Sequence, residues 1–437
     1  MKEVQSIERK AYLNKLIAKK ENGMIKVITG IRRCGKSYLL FEIYRQYLNS
    51  IGVESKYIVG VALDEIQNAR LRNPLELDKY IREQLVESGK MYYVFIDEIQ
   101  KVVGVKNPYL ENDDAMIGFV DVLLGLMKLK NVDLYVTGSN SKMLSSDILT
   151  EFKDRGDEIK VNPLSFSEFY NAYNGDKRHA WRDFYTYGGM PLVTTKKTHE
   201  EKSKYLEDLF LKTYITDILE RNKIANDKAV IEDLLNIVSS AIGSLTNPTK
   251  LSNAFKSIRK VNVTHTTIAK YLDYFIDAFI LYKAYRYDIK GKKYIDTPLK
   301  YYFVDVGLRN ARLNFRQQEE NHIMENIIYN ELRFREFNVD VGIIEYSSKD
   351  AEGKSIRTQL EVDFVANKGS RRYYIQSALT VDGEDKRAQE IRSLNRISDS
   401  FKKIVVVKDD IVPWHDENGI LYVGIEQFLL DENAIDL

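Results

Sequence analysis

Val27-Ile28-Thr29-Gly30-Ile31-Arg32-Arg33-Cys34-Gly35-Lys36-Ser37 is the stretch that decides the fold. From Gly30 to Ser37 it fits the phosphate-loop pattern G-x-x-x-x-G-K-[ST]. The apolar run at Ile25, Val27 and Ile28 predicts a strand before it, and Tyr38 to Leu48 predicts a helix after it. Glycines let such a loop wrap a phosphate chain without Cβ clashes. The loop N–H groups and the helix N-terminus then face the anion. In that geometry Lys36 reaches the β- and γ-phosphates, and the Ser37 hydroxyl sits on Mg²⁺. Gly30, Ile31, Arg32, Arg33, Cys34, Gly35, Lys36, Ser37 and Tyr38 are therefore the candidate contacts for ATP. With these flanks, a chance match in a glycine turn is the weaker reading.

Working outward, Tyr92-Tyr93-Val94-Phe95-Ile96-Asp97-Glu98 is an apolar strand ending in two acids, a Walker B pattern. Asp97 is expected to hold Mg²⁺ together with Ser37. Glu98 is expected to polarise the attacking water as general base. Neighbouring side chains on a strand face opposite sides, so both acids serve one crevice only if the chain turns there. Leu134 to Thr137 predicts a third strand, followed by Gly138-Ser139-Asn140. Ser139 or Asn140 would contact the γ-phosphate or the water, the role called sensor 1; a plain strand-to-loop turn is the alternative. Arg155 is the candidate arginine finger, against a solvated surface arginine. No separate role is assigned to Arg32 or Arg33. Cys34, beside Lys36 and the loop N–H groups, reads as a neutral loop filler rather than a redox switch.

The rest of the composition bounds the answer. A chain of 437 residues holds two to four domains. Its apolar content of 44% is ordinary for a globular protein. A formal net charge of +1 announces neither a nucleic-acid nor a membrane partner in bulk. No apolar run reaches about 18 residues, so no membrane-spanning helix is expected. The charged Met1–Lys20 stretch lacks a signal-peptide core. One cysteine excludes an intrachain disulfide. These features suit the cytoplasm.

Along the chain, residues 1–20 read as an amphipathic helix, and residues 24 to about 160 alternate strand and helix. That alternation implies a mostly parallel sheet. Strands are expected at Ile25–Thr29, Tyr57–Leu63 and Tyr92–Ile96, with helices at Lys36–Leu48, Pro74–Glu87 and Ile117–Leu129. Residues 163 to about 225 look helical, interrupted by a turn at Gly188-Gly189-Met190-Pro191. Thr264 is placed to cap a helix with its stripe at Ile268, Leu272, Phe275 and Phe279. Strands at Leu281–Tyr287 and Tyr294–Ile295 follow around Gly291-Lys292-Lys293, then Tyr301–Asp305. Helices followed by a hairpin are the order of a winged helix. Beyond residue 320 a helix at Met324–Phe337 precedes strands at Val341–Tyr346, Leu360–Ala366, Tyr373–Ala378 and Lys403–Val407.

Residues 251–310 carry 11 Lys/Arg against 5 Asp/Glu. Lys292 and Lys293 lie at the hairpin tip, and Lys256, Arg259 and Lys260 precede the capped helix. Contact with duplex DNA through residues 251–310 is one reading. A solvated basic face on a regulatory segment is the other. The aromatics Tyr271, Tyr274 and Phe275 mark either core or a partner surface, including self-association.

The loop, Phe95-Ile96-Asp97-Glu98-Ile99-Gln100 and Thr137-Gly138-Ser139 together resemble a family of bacterial and archaeal AAA-superfamily ATPases with a C-terminal domain of unknown function. Pro163-Leu164-Ser165-Phe166-Ser167-Glu168-Phe169, Gly188-Gly189-Met190-Pro191 and Tyr214-Ile215-Thr216-Asp217-Ile218 match that family's later landmarks in order. Where the family has a Gly-Arg pair, this chain has Arg155-Gly156. The resemblance implies an α/β chain in four parts. These are an AAA-like parallel-sheet P-loop ATPase core (1–160), a helical lid (161–228), a winged helix (229–312) and an α/β domain like PD-(D/E)xK restriction endonucleases (313–437).

That nuclease pattern needs a helical acid, an Asp and [E/Q]-x-K, which bind Mg²⁺ and place an ammonium near the scissile phosphate. Glu325 or Glu331 fits the first element, Asp363 the second and Gln376 the third. Ala378 stands in the lysine position, and no spacing brings Lys386 there. Residues 311–437 hold 17 Lys/Arg and 24 Asp/Glu, a poor surface for a polyanion. The sequence thus reads as a Mg²⁺-dependent ATPase whose hydrolysis drives a conformational switch, with DNA as a candidate partner and no membrane. A non-hydrolysing DNA-binding regulator and an ATP-gated nuclease remain as alternatives.

Overall fold

The computed structural model describes residues 7–110, 115–139, 156–224, 227–316, 319–349 and 355–437. The chain divides into two units: Met1–Pro163 with Asp277–Phe279, and Leu164–Ile276 with Ile280–Leu437.

In the first unit the strands are β1 (Ile25–Thr29), β2 (Ile58–Ala62), β3 (Tyr92–Asp97), a small hairpin of β4 (Val105–Lys106) and β5 (Met116–Ile117), β6 (Val132–Gly138) and β7 (Gly156–Lys160). Five of them form one parallel sheet in the order β2-β3-β6-β1-β7. Every residue of β1 is buried, which is why it reads as an unbroken apolar run. On one face Val27, Val94, Ile96 and Val136 pack against Leu77 and Ile81 of a helix at Pro74–Gln84, and Leu123 and Leu126 of another at Phe119–Met127. Asn73 caps the first of these by accepting from the Leu75 N–H, with Pro74 at the opening position. On the other face Phe95 and Tyr135 meet edge-on, and the Tyr44 and Tyr135 hydroxyls are 2.6 Å apart. Ahead of the sheet, α1 (Lys10–Ala18) buries Tyr12 and Leu16, four residues apart on one helix face.

The second unit opens with helices, among them Phe166–Ala172, Ala180–Tyr187, His199–Asp208, Lys228–Ser240, Pro248–Ala254 and His265–Asp277. Thr264 caps the last, accepting from the Thr267 N–H at 3.2 Å. Strands β8 (Leu281–Asp288), β9 (Lys293–Phe303), β10 (Asn338–Lys349), β11 (Ser355–Lys368), β12 (Arg371–Ala378), β13 (Lys402–Val407), β14 (Trp414–His415) and β15 (Leu421–Gly424) follow. They form a single mixed sheet in the order β14-β15-β13-β12-β11-β10-β8-β9. The hairpin β8–β9 is thus one end of the C-terminal sheet. Its β8 pairs in parallel with β10, Val341 opposite Arg286 and Ile343 opposite Asp288.

One expectation changes here. Tyr294–Ile295 and the start of Tyr301–Asp305 are not separate strands: both lie in β9, which ends at Phe303 and pairs with β8 on either side of residues 296–299. An irregularity between Ala284 and Arg286 absorbs the polar Asp296-Thr297-Pro298 stretch. The expected segments 161–228, 229–312 and 313–437 all fall within the second unit apart from short pieces, and the sheet spans the last two of them.

The Gly-Gly-Met-Pro turn has a physical cause far along the chain. Gly188 has φ 69, and a Cβ there would lie 2.2 Å from Asp305 Oδ1. Gly189 N–H donates to Asp305 Oδ2 at 2.6 Å, and Leu308 N–H to Oδ1 at 3.0 Å. Asp305 thereby caps the helix Val306–Arg312 and anchors the turn. Burial pushes its carboxyl up to about 6 in spite of these donors.

Candidate functional site

The phosphate-loop residues leave the C-terminal end of β1, between β6 and β7. Gly30 has φ 141, and a Cβ on it would stand 2.0 Å from the Val161 carbonyl oxygen. No other residue fits there. Arg33 and Gly35 both take positive φ, 65 and 98, which curls the loop back into the following helix. That helix opens at Lys36–Tyr38, widens into a π turn at Leu39–Tyr44 and continues as Arg45–Ser50. Lys36 is buried, and its Nζ donates to the Gly30 and Ile31 carbonyl oxygens at 3.0 and 3.2 Å. Cys34 is fully buried, with Sγ 3.3 Å from the Val161 carbonyl oxygen, which suits the filler role. Arg33 and Tyr38 are exposed beside the loop, while Ile31 is buried under it.

The chain turns directly after Asp97. Glu98 is left-handed, with φ 53 and ψ 50. The parallel register of β3 and β6 sets Ile96 beside Val136, so Thr137 lies next to the acids. Thr137 Oγ1 donates to Asp97 Oδ1 and accepts the Glu98 N–H at 3.0 Å. Gln100 Nε2 donates to Glu98 Oε2 and lies 3.3 Å from Ser139 Oγ. Burial raises the Glu98 carboxyl; Lys36 pulls it down, Asp97 pushes it further up, and Arg32 pulls it down. Thr137 and Gln100 stand in the quoted motifs but received no role from the sequence. The signal was present, since both sit within three positions of a recognised strand end.

A phosphate chain with Mg²⁺ fits these residues. Lys36 already lies on the loop carbonyls, where a phosphate would take their place, and Ser37 and Asp97 would supply hard oxygen ligands to the ion. Among the described residues no group of three His, Cys, Asp or Glu side chains could hold a metal ion. An ion carried on a nucleotide needs no such cage, because phosphate oxygens and water complete its octahedron. Asn140 and Arg155 lie outside the described residues, whereas Ser139 is buried beside Gln100.

In the second unit the structure brings Glu325 rather than Glu331 toward Asp363. Glu331 is paired with Arg335 Nε at 2.7 Å. The cation among the carboxylates is Lys300 of β9, which the sequence reading missed. Its Nζ is 2.8 Å from Glu325 Oε1 and 2.6 Å from Glu361 Oε1. Tyr302 donates to Glu325 Oε1 at 2.6 Å. Asp363 accepts the Ser377 N–H at 2.8 Å, and Gln376 Oε1 lies 3.4 Å from the Asp363 N. Ala378 is buried and Lys386 is exposed on the helix Glu384–Glu390. Burial alone would lower Lys300, but Glu325, Asp363 and Glu361 outweigh it and hold the ammonium above the usual lysine range. Burial raises Asp363 well above the carboxylate range, helped by Glu325, whereas Lys300, His322 and Tyr302 hold Glu325 below its usual value in spite of burial. A lysine inside the run Leu299-Lys300-Tyr301-Tyr302-Phe303 was the available clue.

The basic segment is also sorted by burial. Arg286, Lys300 and Arg309 are buried and cannot meet a phosphate backbone. Lys256, Lys260, Lys290, Lys292 and Lys293 are exposed. Tyr271 and Phe275 belong to the core.

Residues 22–170 match a family model described as an AAA domain, and residues 178–319 one described as a domain of unknown function. An uncharacterised protein of Haemophilus influenzae is 33% identical over 405 residues, covering 92% of this chain and 93% of its own. The chain belongs to that protein's family. The stretch that matches the AAA domain model spans the parallel sheet and its phosphate loop. Another similar protein, uncharacterised, comes from Methanocaldococcus jannaschii, 26% identical over 424 residues, 93% of this chain and 85% of its own. Among solved structures, a Walker-type ATPase of Pyrococcus abyssi aligns with a TM-score of 0.46 at 13% identity, over 70% of this chain and 96% of that one. Among the described residues no helix is long and apolar enough to cross a membrane.

Proposed function

We propose that the first unit binds and hydrolyses Mg²⁺–ATP. The observation that supports this best is the placing of Lys36, Asp97 and Glu98 at the C-terminal ends of β1 and β3, the two strands that flank β6, with Lys36 near enough to pull down the Glu98 carboxyl. Lys36 exchanges its two carbonyl partners for β- and γ-phosphate oxygens. Ser37 and Asp97 hold Mg²⁺, which when bound neutralises charge on those oxygens. Glu98, held by Thr137 and Gln100, takes the proton of the attacking water. Ser139 or Asn140 contacts the γ-phosphate or that water, and Arg155 is the finger.

In this reading the second unit is driven by the nucleotide state. Its parts are a lid at 161–228, a winged-helix-like segment at 229–312 and the C-terminal domain at 313–437. The exposed lysines at 256, 260, 290, 292 and 293 offer contacts to duplex DNA. The test is nucleotide titration and phosphate release, with and without duplex DNA, on the unaltered chain and on Glu98→Gln. Binding with release only in the unaltered chain is expected. Release at the normal rate by Glu98→Gln would remove Glu98 from the role of base. A duplex shift that is absent, or indifferent to salt, would remove DNA as the partner.

A further inference from the structure

Arg9, just ahead of α1, was not singled out by any motif, yet it is 4% exposed and touches the back of the phosphate loop. Its Nη1 donates to the Cys34 carbonyl oxygen at 3.1 Å. Its Nη2 donates to the Asn162 carbonyl oxygen at 2.7 Å. The guanidinium lies 4.6 Å from the centre of the Tyr12 ring, and the Tyr12 hydroxyl accepts the Asn162 N–H at 3.0 Å. Asn162 follows Val161, the residue whose carbonyl meets Gly30 and Cys34. One planar cation therefore joins the loop to the exit of the sheet.

The consequence follows from peptide geometry. In a trans peptide the C=O and the next N–H point in opposite directions. Holding the Cys34 carbonyl toward Arg9 fixes the Gly35 N–H toward the other side of the loop, where a phosphate chain is to bind. A charged donor on that carbonyl also polarises the same amide and strengthens its N–H as a donor. The two carbonyls are reached by separate nitrogens of one rigid fork, which lysine cannot reproduce.

We propose that Arg9 is a positioning residue for nucleotide: it presets the Gly35 N–H for phosphate and ties the loop to Asn162 at the end of the core. The proposal rests on the ATP-binding reading of the loop. It places a determinant of affinity outside the phosphate-loop and Walker B motifs.

The test is titration of the full-length protein with a fluorescent ATP analogue, alongside thermal melts without nucleotide. Four chains are compared: unaltered, Lys36→Ala, Arg9→Lys and Tyr12→Phe. Arg9→Lys is expected to weaken binding about tenfold, the scale of one charge-assisted hydrogen bond, while melting alone stays close to normal. Tyr12→Phe removes the Asn162 contact but leaves the loop carbonyl held, and is expected to bind normally. Arg9→Gln, which keeps one donor nitrogen and no charge, replaces Arg9→Lys if that chain does not fold, with the same expectation. Normal binding by the Arg9 variant overturns the proposal. So does equal loss in Tyr12→Phe, which would make the effect one of general packing. No binding by the unaltered chain overturns the ATP-binding reading itself, and Arg9 with it.

Discussion

Lys36 and Lys300 are hidden from water to the same degree, with 4% and 3% of their surface exposed, but they are held in opposite ways. Lys36 rests on two backbone carbonyls, which are dipoles without net charge. Lys300 rests between two carboxylates, with a third acid nearby. An ammonium on carbonyls gains by moving to a phosphate oxygen, because a full charge replaces a partial one. An ammonium already paired in a buried site would leave unpaired carboxylates behind. The first lysine is poised for a ligand, and the second is spent on its neighbours. A cation in the middle of a carboxylate cluster is therefore no sign of a working catalytic centre. What it is bonded to at rest decides that.

Four outcomes test this contrast, the largest effect first. Lys36→Ala should weaken ATP binding by at least about 1000-fold, since it removes the buried ammonium that would meet the β- and γ-phosphates. Calorimetric titration reads this directly, and retained affinity would break the contrast at its first member. Glu98→Gln should keep ATP affinity but slow phosphate release by roughly 10²–10³-fold, the scale of a lost general base. Lys300→Met should leave ATP binding intact while destabilising the second unit by roughly 3–5 kcal/mol, because Glu325 and Glu361 lose their counter-charge. Urea unfolding of the whole chain measures it, and an unchanged second transition would show that the cluster is not held by Lys300.

The smallest effect concerns Asp305. Its carboxyl is raised in the folded chain to about 6, above the unfolded value near 3.8. A group raised in this way stabilises the fold fully below the unfolded value, and that contribution is lost as pH rises through about 6. The second unit should therefore lose on the order of 2–3 kcal/mol between about pH 4 and 7 from this group alone. Asp305→Asn should flatten that slope, at the cost of one acceptor for the Gly189 and Leu308 N–H groups. Parallel slopes in the two chains would assign the pH dependence elsewhere.

Much of the first unit was legible because its signals are local. The strand before Gly30, the loop and the acids after β3 each carry their own chemistry within a few residues. β7 escaped because Gly156-Asp157-Glu158-Ile159-Lys160 is mostly polar and only partly buried. In the second unit the deciding contacts are distant. Gly188 must be glycine because of Asp305, and the carboxylates of α-helical Glu325 and strand residue Glu361 are matched by a lysine from β9. Nothing near Ala378 in the sequence points to Lys300. Arg9 was hidden for the same reason: its partners, Cys34 and Asn162, are carbonyls, and a backbone acceptor leaves no trace in a side-chain pattern.

The pairing of β8 with β10 has a practical consequence for anyone who cuts this chain. A fragment ending near residue 312 would keep the hairpin but lose the strand that covers β8 along Arg286 to Asp288. Its open edge would then offer unpaired N–H and C=O groups to any neighbour, which is how fragments clump. Expression of the hairpin with its helices, without residues up to Gly424, should give aggregate rather than a small soluble domain. For the same reason the sheet closes late in synthesis, only after its last strands have left the ribosome.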